Sequence, residues 1–124
     1  MVKVLVAEDE KNIRDLFSRT IESMGYAAIS CPDGRLAWEV LQANPDIKML
    51  VSDIAMPGID GRELIKLIRQ HQEYASLPIV VVSGVIRARD ISQLLSEGAT
   101  CFLAKPVDLK ELREVINAHV SQQA

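Results

Sequence analysis

Pro78-Ile79-Val80-Val81-Val82-Ser83 is an apolar run with no polar residue until its end. A strand with one wet face alternates apolar and polar residues, whereas an unbroken run suits a strand covered on both faces. Its shortness, its β-branched residues and the Ser83-Gly84 turn that follows mark it as a strand. Three more runs share an apolar body and a polar stop. Lys3-Val4-Leu5-Val6-Ala7 stops at Glu8-Asp9, Met49-Leu50-Val51-Ser52 stops at Asp53, and Phe102-Leu103-Ala104 stops at Lys105.

Helical patterns fill the intervals. Ile13, Leu16, Phe17, Thr20, Ile21 and Met24 recur at helical steps, and Gly25 stands where a helix would end. Ala27 to Cys31 reads as another strand. Asp33-Gly34 opens a helix burying Ala37, Val40 and Leu41, which Asn44-Pro45 closes. Asp60 and Glu63 have the spacing of a capping box before a helix with Leu64, Ile65 and Ile68 inward. Arg87 to Glu97 reads as a shorter helix with Ile91, Leu94 and Leu95 inward. Asp108 and Glu111 repeat the capping pattern before a last helix carrying Leu109, Leu112, Val115, Ile116 and Val120 on one face.

Strict alternation of five strands and five helices calls for an α/β fold with a parallel sheet and helices on both faces. Right-handed crossovers leave few topologies. The expectation is a doubly wound five-stranded sheet of order 2-1-3-4-5, the flavodoxin-like arrangement. With 124 residues, one domain over 1–124 is expected, closing in the polar stretch Ser121-Gln122-Gln123-Ala124.

Composition narrows the classes. Hydrophobic residues at 48% supply a core, and a net charge of -3 argues against direct nucleic-acid binding. No apolar run reaches the roughly 20 residues that span a bilayer. Met1 to Glu10 reads as a first strand and not as a leader. Cys31 and Cys101 sit among apolar residues, suit buried free thiols and a cytoplasmic setting, and make no metal motif.

In a parallel sheet all strands end on one edge, and ligands bind there where strand order reverses. Strands 1, 3 and 4 would bring Glu8, Asp9, Asp53 and Ser83 together. Clustered carboxylates repel, and a hard divalent cation such as Mg²⁺ relieves this while leaving positions for water and phosphate oxygens. A carboxylate can also serve as a nucleophile toward phosphorus. The Lys105 ammonium and the Ser83 hydroxyl would then meet the oxygens of the transferred group. Singly, each residue has a plain reading: Asp53 and Ser83 as turn residues, Glu8-Asp9-Glu10 as an acidic helix start. Their conjunction on one edge favours chemistry.

At these residues the chain resembles the receiver domains of two-component response regulators. Asp53-Ile54-Ala55-Met56-Pro57-Gly58-Ile59-Asp60-Gly61 is the most specific stretch, and the order and spacing of Glu8-Asp9, Asp53, Ser83 and Lys105 resemble the family's. The resemblance implies Asp53 as phosphoacceptor. It implies Mg²⁺ held by Asp9, by Glu8 through water, by Asp53 and by the Ala55 backbone carbonyl. Ser83 and Lys105 would contact the phosphoryl group. Ser83 and Phe102 would form the switch that reshapes the face of helix 4, strand 5 and helix 5. The family's Lys-Pro bond is commonly cis, which Lys105-Pro106 would follow. Ser83 stands where Thr is frequent, and Phe102 lacks the hydroxyl of the frequent Tyr. Ala55 and Val85 occupy positions that tune phosphoryl lifetime in the family.

Implied partners are a sensor histidine kinase or histidine phosphotransfer protein, and a downstream protein at the face of helix 4, strand 5 and helix 5. The chain would act as a monomer or a phosphorylation-dependent dimer, away from nucleic acid and membrane. It would turn over no separate substrate. The alternatives are an Mg-dependent aspartyl-phosphate hydrolase of the haloacid-dehalogenase type, a flavodoxin-like cofactor binder and a degenerate receiver acting as a scaffold. The first wants Asp-x-Asp where the chain reads Asp9-Glu10-Lys11, and the second wants a phosphate loop where Glu8-Asp9-Glu10 would repel phosphate. Trp38, His71 and His119 are read as packing or surface residues.

Overall fold

A computed structural model describes residues 1–84 and 87–120; Val85 and the polar stretch 121–124 lie outside the described residues. The strands are β1 (Lys3–Ala7), β2 (Ala27–Cys31), β3 (Ile47–Asp53), β4 (Ile79–Ser83) and β5 (Cys101–Ala104). The helices are α1 (Lys11–Ser23), α2 (Gly34–Ala43), α3 (Gly61–Arg69), α4 (Ala88–Ser96) and α5 (Leu109–Val120). A short 3-10 turn over Gln72–Tyr74, not read from the sequence, links α3 to β4. The strands lie in the expected order β2-β1-β3-β4-β5, and every pair is parallel.

β4 behaves as its run demands. Ile79, Val80, Val81 and Val82 are each at most 1% exposed, and full burial of such side chains contributes about 2 kcal/mol apiece. Alternate residues feed opposite layers. Val80 and Val82 join Val4, Val6, Phe17, Ile21, Leu112 and Ile116 under α1 and α5. Ile79 and Val81 join Leu5, Leu41, Leu64, Ile68 and Leu94 under α2, α3 and α4. A charge at either set would face a closed apolar layer.

Helix starts follow local chemistry with two departures. Asp33 Oδ1 accepts from the Leu36 amide at 2.8 Å, and Asp60 Oδ1 accepts from the Glu63 amide at 2.9 Å. The return arm of the Asp60–Glu63 box is not formed among the described residues, and Asp108 Oδ1 accepts from the Lys110 amide and not from Glu111. Each carboxylate still satisfies one of the amide groups left open at a helix start. α4 instead uses Asp90, whose Oδ2 accepts from the Arg87 amide at 3.2 Å.

The inward faces also differ at two leucines. Leu94 is buried, but Leu95 is 43% exposed, because one residue step turns about 100° around a short helix and leaves the core. Leu16, expected inward, is 37% exposed. Trp38 packs as expected: its ring lies 4.8 Å from that of His71 and 5.8 Å from that of Tyr74. No described helix is long and apolar enough to cross a membrane.

Candidate functional site

Register sets the site. Ala7 pairs with Ser52 across β1 and β3, so the residues that follow, Glu8 and Asp53, come side by side. Asp53 pairs with Val82, one residue short of Ser83, and Ser83 pairs with Ala104, one residue short of Lys105. The four strand stops thus share one edge. One carboxylate oxygen from each of Glu8, Asp9 and Asp53 lies within 4.8 Å of the others.

Lys105 closes the group. Its Nζ stands 2.9 Å from Glu8 Oε1 and 2.9 Å from Asp53 Oδ2. The other oxygen of Asp53, Oδ1, accepts from the Ile54 amide at 2.7 Å. Asp53 is 7% exposed and Glu8 is fully buried, while Asp9 is exposed at the mouth. Burial pushes the Glu8 carboxyl up to about 7; the Lys105 ammonium opposes the rise and the neighbouring Asp53 adds to it. For Lys105, burial alone would weaken the ammonium, but its bonds to Asp53 and Glu8 hold its pKa above the usual lysine value. The pocket carries more negative charge than one ammonium balances.

The backbone around Asp53 is locked. Ser52 Oγ donates to the Asp53 carbonyl at 2.8 Å, inside the core. The Gly61 amide donates to the Ile54 carbonyl at 2.8 Å, drawing the start of α3 against the end of β3. A Cβ at Gly61 would run into the Asp53 carbonyl oxygen, so only glycine fits that approach.

The remaining expected residues are placed as follows. Ser83 ends β4, half-buried, and its hydroxyl makes no hydrogen bond among the described residues. Ala55 lies exposed in the loop after β3, and its carbonyl accepts no hydrogen bond from the described residues. Phe102 is half-buried against the layer under α2, α3 and α4. Lys105-Pro106 is cis. Beside Lys105, a cleft of about 150 Å³ is lined by Ile13, Leu16, Phe17, Pro106 and Val107.

The family model for the response regulator receiver domain matches residues 4–117. The chain belongs to this family. Among curated relatives, chemotaxis protein CheY1 of Helicobacter pylori is 30% identical over 119 residues, 93% of this chain and 96% of its own. Among solved structures, the receiver domain of the Francisella response regulator 1452 superposes with a TM-score of 0.92 at 27% identity, covering 100% of both chains. Chemotaxis protein CheY4 of Vibrio cholerae gives 0.89 at 28% identity, covering 96% of this chain and 98% of its own. The fold of this receiver is therefore the flavodoxin-like one of the CheY structures.

Some contacts of the receiver edge carry no sequence signal. The Arg14 Nη1 donates to the Glu8 carbonyl at 2.9 Å and reaches the Asp9 carbonyl at 3.4 Å. The Ile54 amide and Ser52 hydroxyl hold Asp53 from behind. Amides and carbonyls occur at every residue, so only folded geometry reveals which ones meet.

Proposed function

We propose that the chain is a phosphoaspartate signalling switch, one receiver unit over residues 1–124, with Asp53 as the acceptor. The observation that carries this reading is the Asp53 carboxylate itself. It lies buried beneath the exposed Asp9, one oxygen on a backbone amide and the other 2.9 Å from the Lys105 ammonium. An Asp53 oxygen attacks phosphorus in line with the leaving group. The P–O bond to Asp53 forms as the P–N bond of a phosphohistidine breaks, and the imidazole nitrogen leaves with the electron pair.

The residues fit Mg²⁺. Hard oxygen donors from Glu8, Asp9 and Asp53 converge, and a divalent ion would relieve the repulsion among three carboxylates that share one ammonium. Asp9, Asp53 and the Ala55 carbonyl would hold the ion, with Glu8 acting through water. When bound, it supplies charge neutralisation for a phosphoryl oxygen. Lys105 would exchange its contact with Asp53 for a second phosphoryl oxygen, and the unbonded Ser83 hydroxyl would donate to a third.

The phosphorylated carboxylate brings roughly two negative charges to this edge. Ser83 moving toward them would vacate space for Phe102, and the face of α4, β5 and α5 would repack to meet a downstream protein. Arg87, Arg89, Lys110, Arg113 and the exposed Leu95 give that face charge and an apolar contact. The cleft beside Lys105 offers an apolar footing to a histidine kinase or phosphotransfer protein next to the acceptor. The two free thiols suit a reducing, cytoplasmic compartment. The switch turns over no separate substrate.

Incubation with Mg²⁺ and acetyl phosphate, followed by intact-mass analysis, tests the reading. The parent should gain one phosphoryl group and Asp53→Asn none. No gain in the parent, or an equal gain in the variant, would sink it.

A further inference from the structure

Glu8, Asp9 and Asp53 converge, yet they are held in unequal ways. Glu8 is fixed by Lys105 through Oε1, and Asp53 by Lys105 and the Ile54 amide. The Asp9 carboxylate makes no hydrogen bond and no ion pair among the described residues. Its place within 4.8 Å of the other two is therefore set by the backbone of the turn between β1 and α1.

That turn lacks the usual lock. Glu10 stands at the N-cap of α1 and gives no side-chain cap, and its amide makes only a long bond, 3.5 Å, to Glu8 Oε2. On the strand side, the Glu8 amide donates to the Cys31 carbonyl at 3.0 Å. On the helix side, the Glu8 and Asp9 carbonyls both point at Arg14, whose Nη1 lies 2.9 and 3.4 Å away. Among the described residues, no other side chain from outside the turn bonds to its backbone; Lys105 reaches it only at the Glu8 carboxylate.

We propose that Arg14 is a positioning residue for this site: its guanidinium grips two successive carbonyls and so holds the Asp9 carboxylate over the pocket. The proposal rests on the acceptor-site reading above and assigns a role that touches neither metal nor phosphoryl group. A guanidinium suits the task because it is planar, always charged and presents fixed donors, where an ammonium is a single point. Hydrogen bonds to a charged donor are also the stronger kind.

The positioning role and a plain charge effect predict opposite signs. As a mere positive charge near a cation site, Arg14 would repel the cation, and its removal would tighten binding. As a clamp, its removal lets the Asp9 carboxylate wander and weakens binding.

Calorimetric titration of the full chain with Mg²⁺ separates them. Arg14→Ala should raise the Kd about tenfold and Arg14→Lys about threefold, since lysine keeps one charged donor. In the metal-free protein, the amides of Asp9 and Glu10 should exchange hydrogen faster in Arg14→Ala than in the parent. At saturating Mg²⁺, uptake from acetyl phosphate should return to within about twofold of the parent. Unchanged or tighter Mg²⁺ binding in Arg14→Ala overturns the assignment. If Arg14→Ala does not fold, a parent-like Kd in Arg14→Lys overturns it instead. A parent that binds no Mg²⁺ overturns the metal reading itself, and this assignment with it.

Discussion

Two half-buried cations bridge distant parts of the chain, and they are satisfied in different ways. Arg69, at the end of α3, donates through Nε and Nη2 to the Gly98 carbonyl at 3.0 and 2.8 Å, and through Nη1 to the Tyr74 carbonyl at 2.7 Å. Lys105, at the end of β5, lies between two carboxylates at 2.9 Å each. The arginine meets only dipoles. Burial lowers its pKa, and among the described residues no acid pairs with it. The lysine meets two carboxylates, and one of them, Glu8, is pushed up to about 7 chiefly by its burial, with Asp53 adding to the rise and the lysine opposing it. The first arrangement ties α3, the 3-10 turn and α4 together with nothing left to trade. The second keeps surplus charge at an open mouth, where the proposed cation and phosphoryl group would use it. Structural and reactive polar sites differ here in what remains unbalanced, and hardly at all in burial.

The largest expected effect breaks the Arg69 side. Arg69→Ala leaves the Gly98 and Tyr74 carbonyls without their charged donor and should lower unfolding free energy by about 3 kcal/mol. Urea denaturation reads this, and uptake from acetyl phosphate by the folded fraction should stay at the parent rate. Breaking the other side should cost chemistry. Lys105→Met removes the ammonium proposed to meet a phosphoryl oxygen, and uptake should slow about 100-fold, measured by intact mass against time. A parent-like rate would make Lys105 a structural tie of the Arg69 kind.

Glu8→Gln sharpens the comparison through pH. The folded chain raises the Glu8 carboxyl from an ordinary 4.5 to about 7, so it holds a proton that the unfolded chain releases. Ionising Glu8 therefore opposes folding as pH climbs through that window. The glutamine variant should gain about 2 kcal/mol over the parent above pH 7 and almost nothing at pH 4. A gain that is flat with pH would remove the account of Glu8 as a buried carboxyl that holds its proton. The smallest effect concerns the cleft beside Lys105. Leu16→Glu, at a position already 37% exposed, should slow transfer from a phosphohistidine protein about tenfold and leave uptake from acetyl phosphate alone.

Most of the architecture was legible because burial on two faces writes unbroken apolar runs. The extent expected for β2 coincides with the strand found, and the order followed from alternation and handedness. The co-location of Glu8, Asp9 and Asp53 was legible because parallel strands end together. What escaped had no residue-type signature. Lys105 was read toward phosphoryl oxygens, and its grip on Glu8 required the register of β5 against β4. Arg14 and Arg69 act on carbonyls, which every residue has. Leu95 was misread because hydrophobicity alone cannot tell Leu94 from its neighbour on a nine-residue helix. Asp108 was read with the right role at the wrong amide, a matter of one residue in a helix start.

The close approach of Gly61 to Asp53 has a consequence for mapping function by substitution. A scan of residues 53–61 scored by signalling output would mark both positions as intolerant. At Asp53 the loss would be one of chemistry, and at Gly61 one of space, since any side chain meets the Asp53 carbonyl. Gly58, three positions earlier, has open space around it and a φ of 74°, so it would resist substitution for a third reason, its backbone. Three blanks in one stretch would look alike on such a map, and only the first would bear on the proposed acceptor.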